Sequence, residues 1–170
     1  DIITRGFIYV KESEALMEEL RWVVLEALER CQRKRVRDWS TIKNAIKMDM
    51  ALAASSNLIL HIPAIAHEAG YDEPWWKYFD EASNEIPLLA HIVPSGHKYS
   101  VHDLCLAGGM PAVIKELLPK LDGDCLTVTG KTIAENVKHA RVYDRNVIHT
   151  LDNPVMKMPG IGVLYGNLAP

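Results

Sequence analysis

The sequence predicts an α/β protein that is rich in helix. Apolar residues recur every three or four positions over residues 16–31 and 58–69, which is the spacing of one helix face. Short apolar and β-branched runs at residues 2–10 and 86–93 instead predict strands. With 48% hydrophobic and 24% charged residues, the 170-residue chain has a globular composition, which excludes a disordered protein.

The first 46 residues predict a small α/β unit. Two short strands at residues 2–3 and 7–10 precede a helix that Ser13 caps, and a second helix begins near residues 38–40. The loop between the helices holds a basic cluster, which is a candidate for contacting RNA phosphates. The same charges also fit a solvated helix end, which is the simpler interpretation because no aromatic residues interleave them. The cluster comprises Arg33, Lys34, Arg35 and Arg37.

Residues 48–70 predict two apolar helices separated by a small polar step. The step consists of Ala53, Ala54, Ser55, Ser56 and Asn57. Ser and Asn favour helix N-caps, and a helix that opens here would direct N–H donors and a partial positive charge outward. Such a helix start can bind a carboxylate or a phosphate. A capped corner between two core helices is the alternative that the same residues allow.

Four further elements are predicted after residue 70. A short helix is predicted to begin at Trp75 and to end before Pro87, and a buried strand to follow over residues 86–93. Helices are then predicted over residues 110–120 and 133–140, the second of them capped by Thr132.

Cysteine and hydropathy patterns bear on the compartment. The three cysteines, Cys31, Cys105 and Cys125, are an odd number without paired spacing, which fits a reducing cytoplasm. No run of 18 uninterrupted apolar residues occurs, so no membrane span is expected. The chain starts without Met and stops after a strand-like run, and we expect both ends to be internal to a longer protein.

Two common ligand motifs are not met. His61 and His67 are six residues apart, and no H-x-H or H-E-x-x-H pattern occurs, so no metal site is predicted. Gly130-Lys131-Thr132 resembles the end of a P-loop, but Cys125 stands where that motif requires its first glycine. A nucleotide site is therefore not predicted either.

Four ordered blocks in residues 47–170 resemble the dihydroxy-acid/6-phosphogluconate dehydratase family. Residues 48–57, followed by His61 and residues 64–66, resemble its M-A-L-G-G-S-T-N…H…A-I-A block, with Ala53-Ala54 replacing Gly-Gly and Ser56 replacing Thr. The other blocks resemble P-S-G-K-Y…D-L…A-G-G-x-P-A-V at residues 94–113, L-T-V-T-G-K-T-x-x-E-N at 126–136, and D-N-P…G-G-I-A-V-L-x-G-N-L-A-P at 152–170.

This resemblance implies a fold and an activity. Residues 47–158 would be the C-terminal part of the catalytic domain, and residues 159–170 the first strand of the following β domain. The family removes water from 2,3-dihydroxy acids or sugar acids to give 2-keto acids, in branched-chain amino-acid biosynthesis or sugar-acid metabolism. The complete enzyme is expected to be a cytoplasmic homo-oligomer with a small-molecule substrate and no membrane partner.

The resemblance also implies cofactors. An iron–sulfur cluster bears the leaving hydroxyl, a magnesium ion holds the carboxylate end and a serine is the base, because hydroxide leaves poorly without a metal. The family's residues for these roles lie upstream and downstream of this segment. We therefore expect the chain to bind neither cofactor and to be inactive alone. The candidates for the substrate-side wall are Ser55, Ser56 and Asn57, with Ser95 and Lys98 as further candidates.

A second resemblance covers residues 1–46. Residues 1–14 and 38–43 resemble D-I-I-S-R-G-F-V-Y-V-R-E-S-E and D-W-x-x-I-K at the start of the ribonuclease J C-terminal domain, a small α/β assembly domain. The two resemblances predict a junction near residue 46, from gene fusion, recombination or a sequence-assembly error. The alternative functions are therefore an RNA-processing protein that has acquired foreign sequence, or a non-catalytic interaction module.

Overall fold

The computed structural model describes residues 39–164 and Asn167. These residues form six α-helices joined by turns and loops. The helices are α1 (Trp39–Leu52), α2 (Leu58–Glu68), α3 (Trp75–Glu85), α4 (Val101–Leu106), α5 (Gly109–Leu117) and α6 (Ile133–Val137), and a 3-10 turn at Leu118–Lys120 follows α5. The helices predicted at residues 58–69, at Trp75 and over 110–120 are confirmed, with ends shifted by a few residues. None of the described helices has the length and apolarity to cross a bilayer.

Helix α1 is at the centre of the larger core. Its buried residues Ile42, Ile46 and Met50 lie one helical turn apart and therefore face the same side. They pack against Ile62 and Ala66 of α2, Phe79 and Ala82 of α3, and Ile86, Leu89 and Leu117. Because α1 continues unbroken through residues 46 and 47, the predicted junction falls inside one helix, and residues 39–46 share their core with the segment that follows.

A second, smaller core lies beside the first. It joins Leu52 at the end of α1 to α4, α5 and the loop that contains Val147 and Ile148. The extended segment 88–90 has no exposed surface. The N–H groups of Leu89 and Ala90 donate to the carbonyl of Ala51, and the N–H of His149 donates to the carbonyl of Leu89. The end of α1 and the loop around residue 149 are thereby fixed to the same buried segment.

The α/β prediction holds only for its helical part, because the described residues contain no strand. Residues 86–93 are extended and largely buried, yet they pair only through isolated bridges, Leu88 with Met156 and Ile92 with Tyr99. Their backbone groups are satisfied by a helix end and by loops, so no ladder of strand pairs forms. The strand predicted at 159–170 is likewise not seen in residues 159–164 or Asn167. Instead of pairing with a strand, the N–H of Gly160 donates to the carbonyl of Met50 in α1. The other residues of the predicted strand lie outside the described part of the chain.

Helices α4 and α6 begin with side-chain caps. The Ser100 hydroxyl accepts from the N–H of Asp103, whose carboxylate accepts from the N–H of Ser100, and Thr132 and Glu135 repeat this arrangement at α6. The predicted cap at Thr132 is confirmed. Helix α6 ends at Val137 rather than at the predicted Ala140. Beyond this helix end, the carbonyls of Lys138 and Ala140 accept hydrogen bonds from the ammonium of Lys115.

Candidate functional site

The predicted polar step forms the turn between α1 and α2, called here the 53–57 turn. Helix α1 ends at Leu52, and Ala53 then adopts a left-handed backbone conformation with φ +48°. Ala53 is buried, Ser55 is half-buried, and Ala54, Ser56 and Asn57 are exposed. The turn therefore presents two polar side chains to solvent from a backbone that is packed against the core.

Asp49 holds this turn from inside helix α1. Its Oδ1 atom accepts a hydrogen bond of 3.2 Å from the N–H of Ser55. Only 2% of the residue is exposed, and its Oδ2 atom is buried without a hydrogen-bond partner. Burial raises the pKa of Asp49, and the N–H groups of Ser55 and Ala54 counteract part of that rise. The sequence analysis missed Asp49, although a lone carboxylate within the apolar run 48–52 was a visible signal.

Ser95 and Gly160 hold the same turn from two other loops. The Ser95 hydroxyl lies 2.9 Å from the carbonyl of Ala53 and 3.2 Å from that of Ile92, so its single proton is committed to the backbone. A Cβ atom on Gly160 would overlap Ala53, so only glycine allows this close approach. The structure thus brings Ser95 to the 53–57 turn, where its hydroxyl positions the backbone.

The start of α2 differs from the predicted open helix end. The N–H groups of Leu58, Ile59 and Leu60 donate to the carbonyls of the three preceding turn residues at 3.0–3.2 Å. Asn57 occupies the N-cap position without a side-chain cap hydrogen bond. The amide donors that were expected to seat an anion are therefore used within the turn, and the exposed side chains of Ser56 and Asn57 remain as its outward polar groups.

The other predicted site residues lie elsewhere. Lys98 is placed with its Nζ atom 4.7 Å from the centre of the Tyr99 ring and lines a separate cavity with three histidines. The basic cluster at residues 33–37 lies outside the described part of the chain. In residues 39–164, no three His, Cys, Asp or Glu side chains converge in a way that could hold a metal ion.

Comparison with known proteins decides the family. The sequence profile described as dihydroxy-acid/6-phosphogluconate dehydratase N-terminal matches residues 9–136, three quarters of the chain. The chain belongs to this dehydratase family. The matched range starts well before residue 46, and it includes α1 to α5 and most of α6. The ribonuclease J resemblance of residues 1–46 receives no support from this match.

Individual dehydratases agree with this assignment. The dihydroxy-acid dehydratase of Ignicoccus hospitalis is 51% identical over 131 residues, which are 76% of this chain and 23% of that enzyme. The dihydroxy-acid dehydratases of Acetivibrio thermocellus and Methanosphaera stadtmanae are 49% and 45% identical over 130 and 128 residues, each covering 75% of this chain. The chain spans about 23% of the length of these curated relatives.

The family pattern clarifies the backbone at Ala53. The pattern that resembles residues 48–57 has glycine at the positions of Ala53 and Ala54, and the structure shows that Ala53 adopts the conformation that glycine favours. A left-handed conformation costs an alanine about 1–2 kcal/mol. The chain bears that cost at a position that Asp49, Ser95 and Gly160 together hold in place.

The described residues do not fit the cofactors that the family resemblance implies. Cys105 is exposed on α4, whereas Cys125 is buried and its Sγ atom accepts from the Asn44 amide at 3.5 Å. Asp49 is the buried carboxylate of the candidate site, but within the described residues it belongs to no group of three or more His, Cys, Asp or Glu side chains that could hold a metal ion. We therefore derive no catalytic step through an iron–sulfur cluster or a magnesium ion from this chain.

Proposed function

We propose that this chain is a segment of a dehydratase that removes water from a 2,3-dihydroxy acid or sugar acid to give a 2-keto acid. The observation that carries the proposal is the family match over residues 9–136, together with 45–51% identity to dihydroxy-acid dehydratases. The iron–sulfur cluster, the magnesium ion and the serine base belong to other segments of the complete enzyme in this proposal. The chain alone is then inactive.

Within the complete enzyme, the 53–57 turn forms part of the wall beside the substrate. Support comes from the contrast between its fixed backbone and its outward side chains. Asp49 and Ser95 bind the backbone of the turn, while Ser56 and Asn57 are exposed. These two side chains are suited to hydrogen bonding with substrate hydroxyl or carboxylate oxygens, whereas Ser95 acts as a positioning residue.

The proposal includes a homo-oligomeric enzyme in the cytoplasm. On helix α2, Leu60 is 73% exposed and Ile65 is 57% exposed. The complete assembly would bury these apolar side chains. Both cysteines of the described part are free thiols, as in proteins of reducing compartments.

A segment exchange tests the proposal. In the Ignicoccus hospitalis enzyme, the 131 aligned residues are replaced by those of this chain, and formation of 2-keto acid from a 2,3-dihydroxy acid is measured. The proposal predicts a turnover within about tenfold of the parent, equal to about 1.4 kcal/mol in the activation free energy. The control carries the aligned segment of the Acetivibrio thermocellus enzyme, which shows that this position tolerates a foreign segment. An active control beside a hybrid that carries the cluster chromophore but does not turn over would contradict the proposal.

A further inference from the structure

A cavity of about 290 Å³, distinct from the 53–57 turn, is lined by eight residues, six of which carry a side-chain group that can donate a hydrogen bond. These six are His91, His97, Lys98, Tyr99, Asn146 and His149; the other two are Val147 and Val155, and no Asp or Glu is among the lining residues. The Lys98 ammonium is the lining group that attracts an anion.

The backbone around this cavity is held firmly. The N–H of Val93 donates to the carbonyl of Tyr99 and that of Gly96 to the carbonyl of Ile92, both at 2.7 Å, which closes the loop carrying His91, His97 and Lys98. A side chain on Gly96 would overlap the carbonyl of His91. The opposite wall is fixed by the bond of 2.9 Å from the N–H of His149 to Leu89. The donors are thus brought together before any ligand binds.

His149 is hydrogen-bonded on one side of its ring. Its Nδ1 atom lies 3.2 Å from the carbonyl of Asn153, and because a carbonyl only accepts, Nδ1 donates this bond. Lys98 supplies the cation of the cavity, and its hydrogen bond to the Tyr99 side chain raises the pKa of its ammonium, which further favours the charged form.

One carboxylate acts on the cavity from nearby. Asp144 interacts electrostatically with Lys98. Its Oδ1 atom already accepts from the backbone N–H of Asn146 at 2.8 Å and from the Asn146 side chain at 3.0 Å. Asp144 therefore orients a donor of the cavity and acts on Lys98 through its charge alone, so the Lys98 ammonium remains for a ligand.

We propose that the cavity between residues 91–99 and 146–149 binds a small oxyanion, a phosphate group or a carboxylate, through the Lys98 ammonium and the side-chain N–H groups of His91, His97 and Asn146. This site stands apart from the proposed function, since it requires neither the remainder of a dehydratase nor catalysis.

Titration of the chain with inorganic phosphate and, separately, with acetate tests this site. The imidazole proton signals are followed by NMR at constant pH and constant ionic strength. We expect the signals of His91, His97 and His149 to shift together with a dissociation constant on the order of millimolar, because the cavity is open to screening solvent. Saturation by both anions supports a general oxyanion site. Saturation by phosphate alone assigns the site to a phosphate group, and by acetate alone to a carboxylate.

Substitutions locate the binding. Lys98→Gln should weaken binding about two- to fivefold, the effect of one exposed charge pair. His61→Gln is the matched control, because His61 lies on α2 and does not line the cavity. If neither anion saturates the wild-type signals below about 50 mM at fixed ionic strength, or if His61 shifts in parallel with the three cavity histidines, the proposal is overturned. Both results come from the wild-type chain and do not depend on a variant that folds.

Discussion

Helices in this chain begin in two different ways. Helices α4 and α6 begin with capping boxes, in which groups within four residues satisfy each other's hydrogen bonds. Helix α2 begins after the 53–57 turn without a cap hydrogen bond from the Asn57 side chain, and the turn is held by Asp49 near the end of α1 and by Ser95 and Gly160 from loops far along the chain. Within the turn, the Ser55 hydroxyl accepts from the N–H of Asn57, which leaves the side chains of Ser56 and Asn57 available for a ligand, whereas a capping box uses the side chains of both its residues.

The largest expected effect is a difference in unfolding free energy between valine variants of two neighbouring alanines, Ala53 and Ala54. Ala53→Val places a β-branched residue at φ +48° and against Gly160, and we expect the free energy of unfolding to fall by about 3 kcal/mol. Ala54→Val, at an exposed position, should cost less than about 0.5 kcal/mol. Urea unfolding of both variants measures the difference. Equal losses would mean that the turn is not held as described.

Ala53→Gly tests how the cost of the left-handed conformation compares with the contribution of the Ala53 methyl group. Relief of the left-handed conformation returns about 1–2 kcal/mol, but the freer unfolded chain costs about 0.4–1 kcal/mol and the lost methyl contact about 0.8 kcal/mol. These contributions nearly cancel, so a change in unfolding free energy within about 0.5 kcal/mol is expected. A stabilisation well above that value would show that the Ala53 methyl group makes no useful contact.

The N-cap residues of α6 and α2 should also differ in how much their side chains contribute to stability. Thr132→Ala removes the hydrogen bond from the N–H of Glu135 to the threonine hydroxyl, while the bond from the backbone N–H of residue 132 to the Glu135 carboxylate remains, and it should lower the unfolding free energy by about 1 kcal/mol. Asn57→Ala removes a side chain that makes no cap hydrogen bond, and a loss below about 0.3 kcal/mol is expected. Thermal unfolding of the pair distinguishes them, and a larger loss for Asn57→Ala would reverse the comparison.

The smallest effect is a difference in pH dependence. The pKa of Asp49 is raised by burial, so the folded state holds its proton more tightly, and stability falls as pH rises from the ordinary carboxyl value through the raised one. The pKa of Asp103 is lowered by its bonds to Ser100, so its contribution is present above the ordinary value and is lost as pH falls.

Asn substitutions isolate these two contributions. Relative to the wild type, Asp49→Asn should gain stability between pH 4 and pH 7, because the variant lacks a buried charge. Asp103→Asn should be less stable than the wild type across this interval, and this deficit should shrink below about pH 4, where the wild-type carboxylate takes up its proton. Urea midpoints at several pH values give both trends, and trends of the same sign would show that Asp49 is not held in a desolvated environment.

Local signals in the sequence predicted part of this structure. The apolar spacing of α2 and α3 and the Thr132 cap depend on residues within a few positions of each other, and these predictions are confirmed. The apolar run 86–93 did not become a strand, because such a run indicates burial and not the partner of its backbone. The hydrogen bond from Ser95 to Ala53, 42 residues apart, depends on tertiary folding, whereas the bond from the N–H of Ser55 to Asp49 spans only six residues and was missed. The sequence therefore predicted the turn residues without the groups that hold them.

The kinetic effect of Asn57→Ala in the hybrid enzyme tests the central claim most directly. Because this side chain contributes little to stability, a change in kcat/KM reports its contact with substrate. The account predicts that kcat/KM falls at least about tenfold, about 1.4 kcal/mol in transition-state stabilisation. The control Asn84→Ala, an exposed amide that bonds only to Asp80 within α3, should leave kcat/KM unchanged. Unchanged kcat/KM for Asn57→Ala, and for Ser56→Ala measured beside it, would contradict the placement of the 53–57 turn at the substrate.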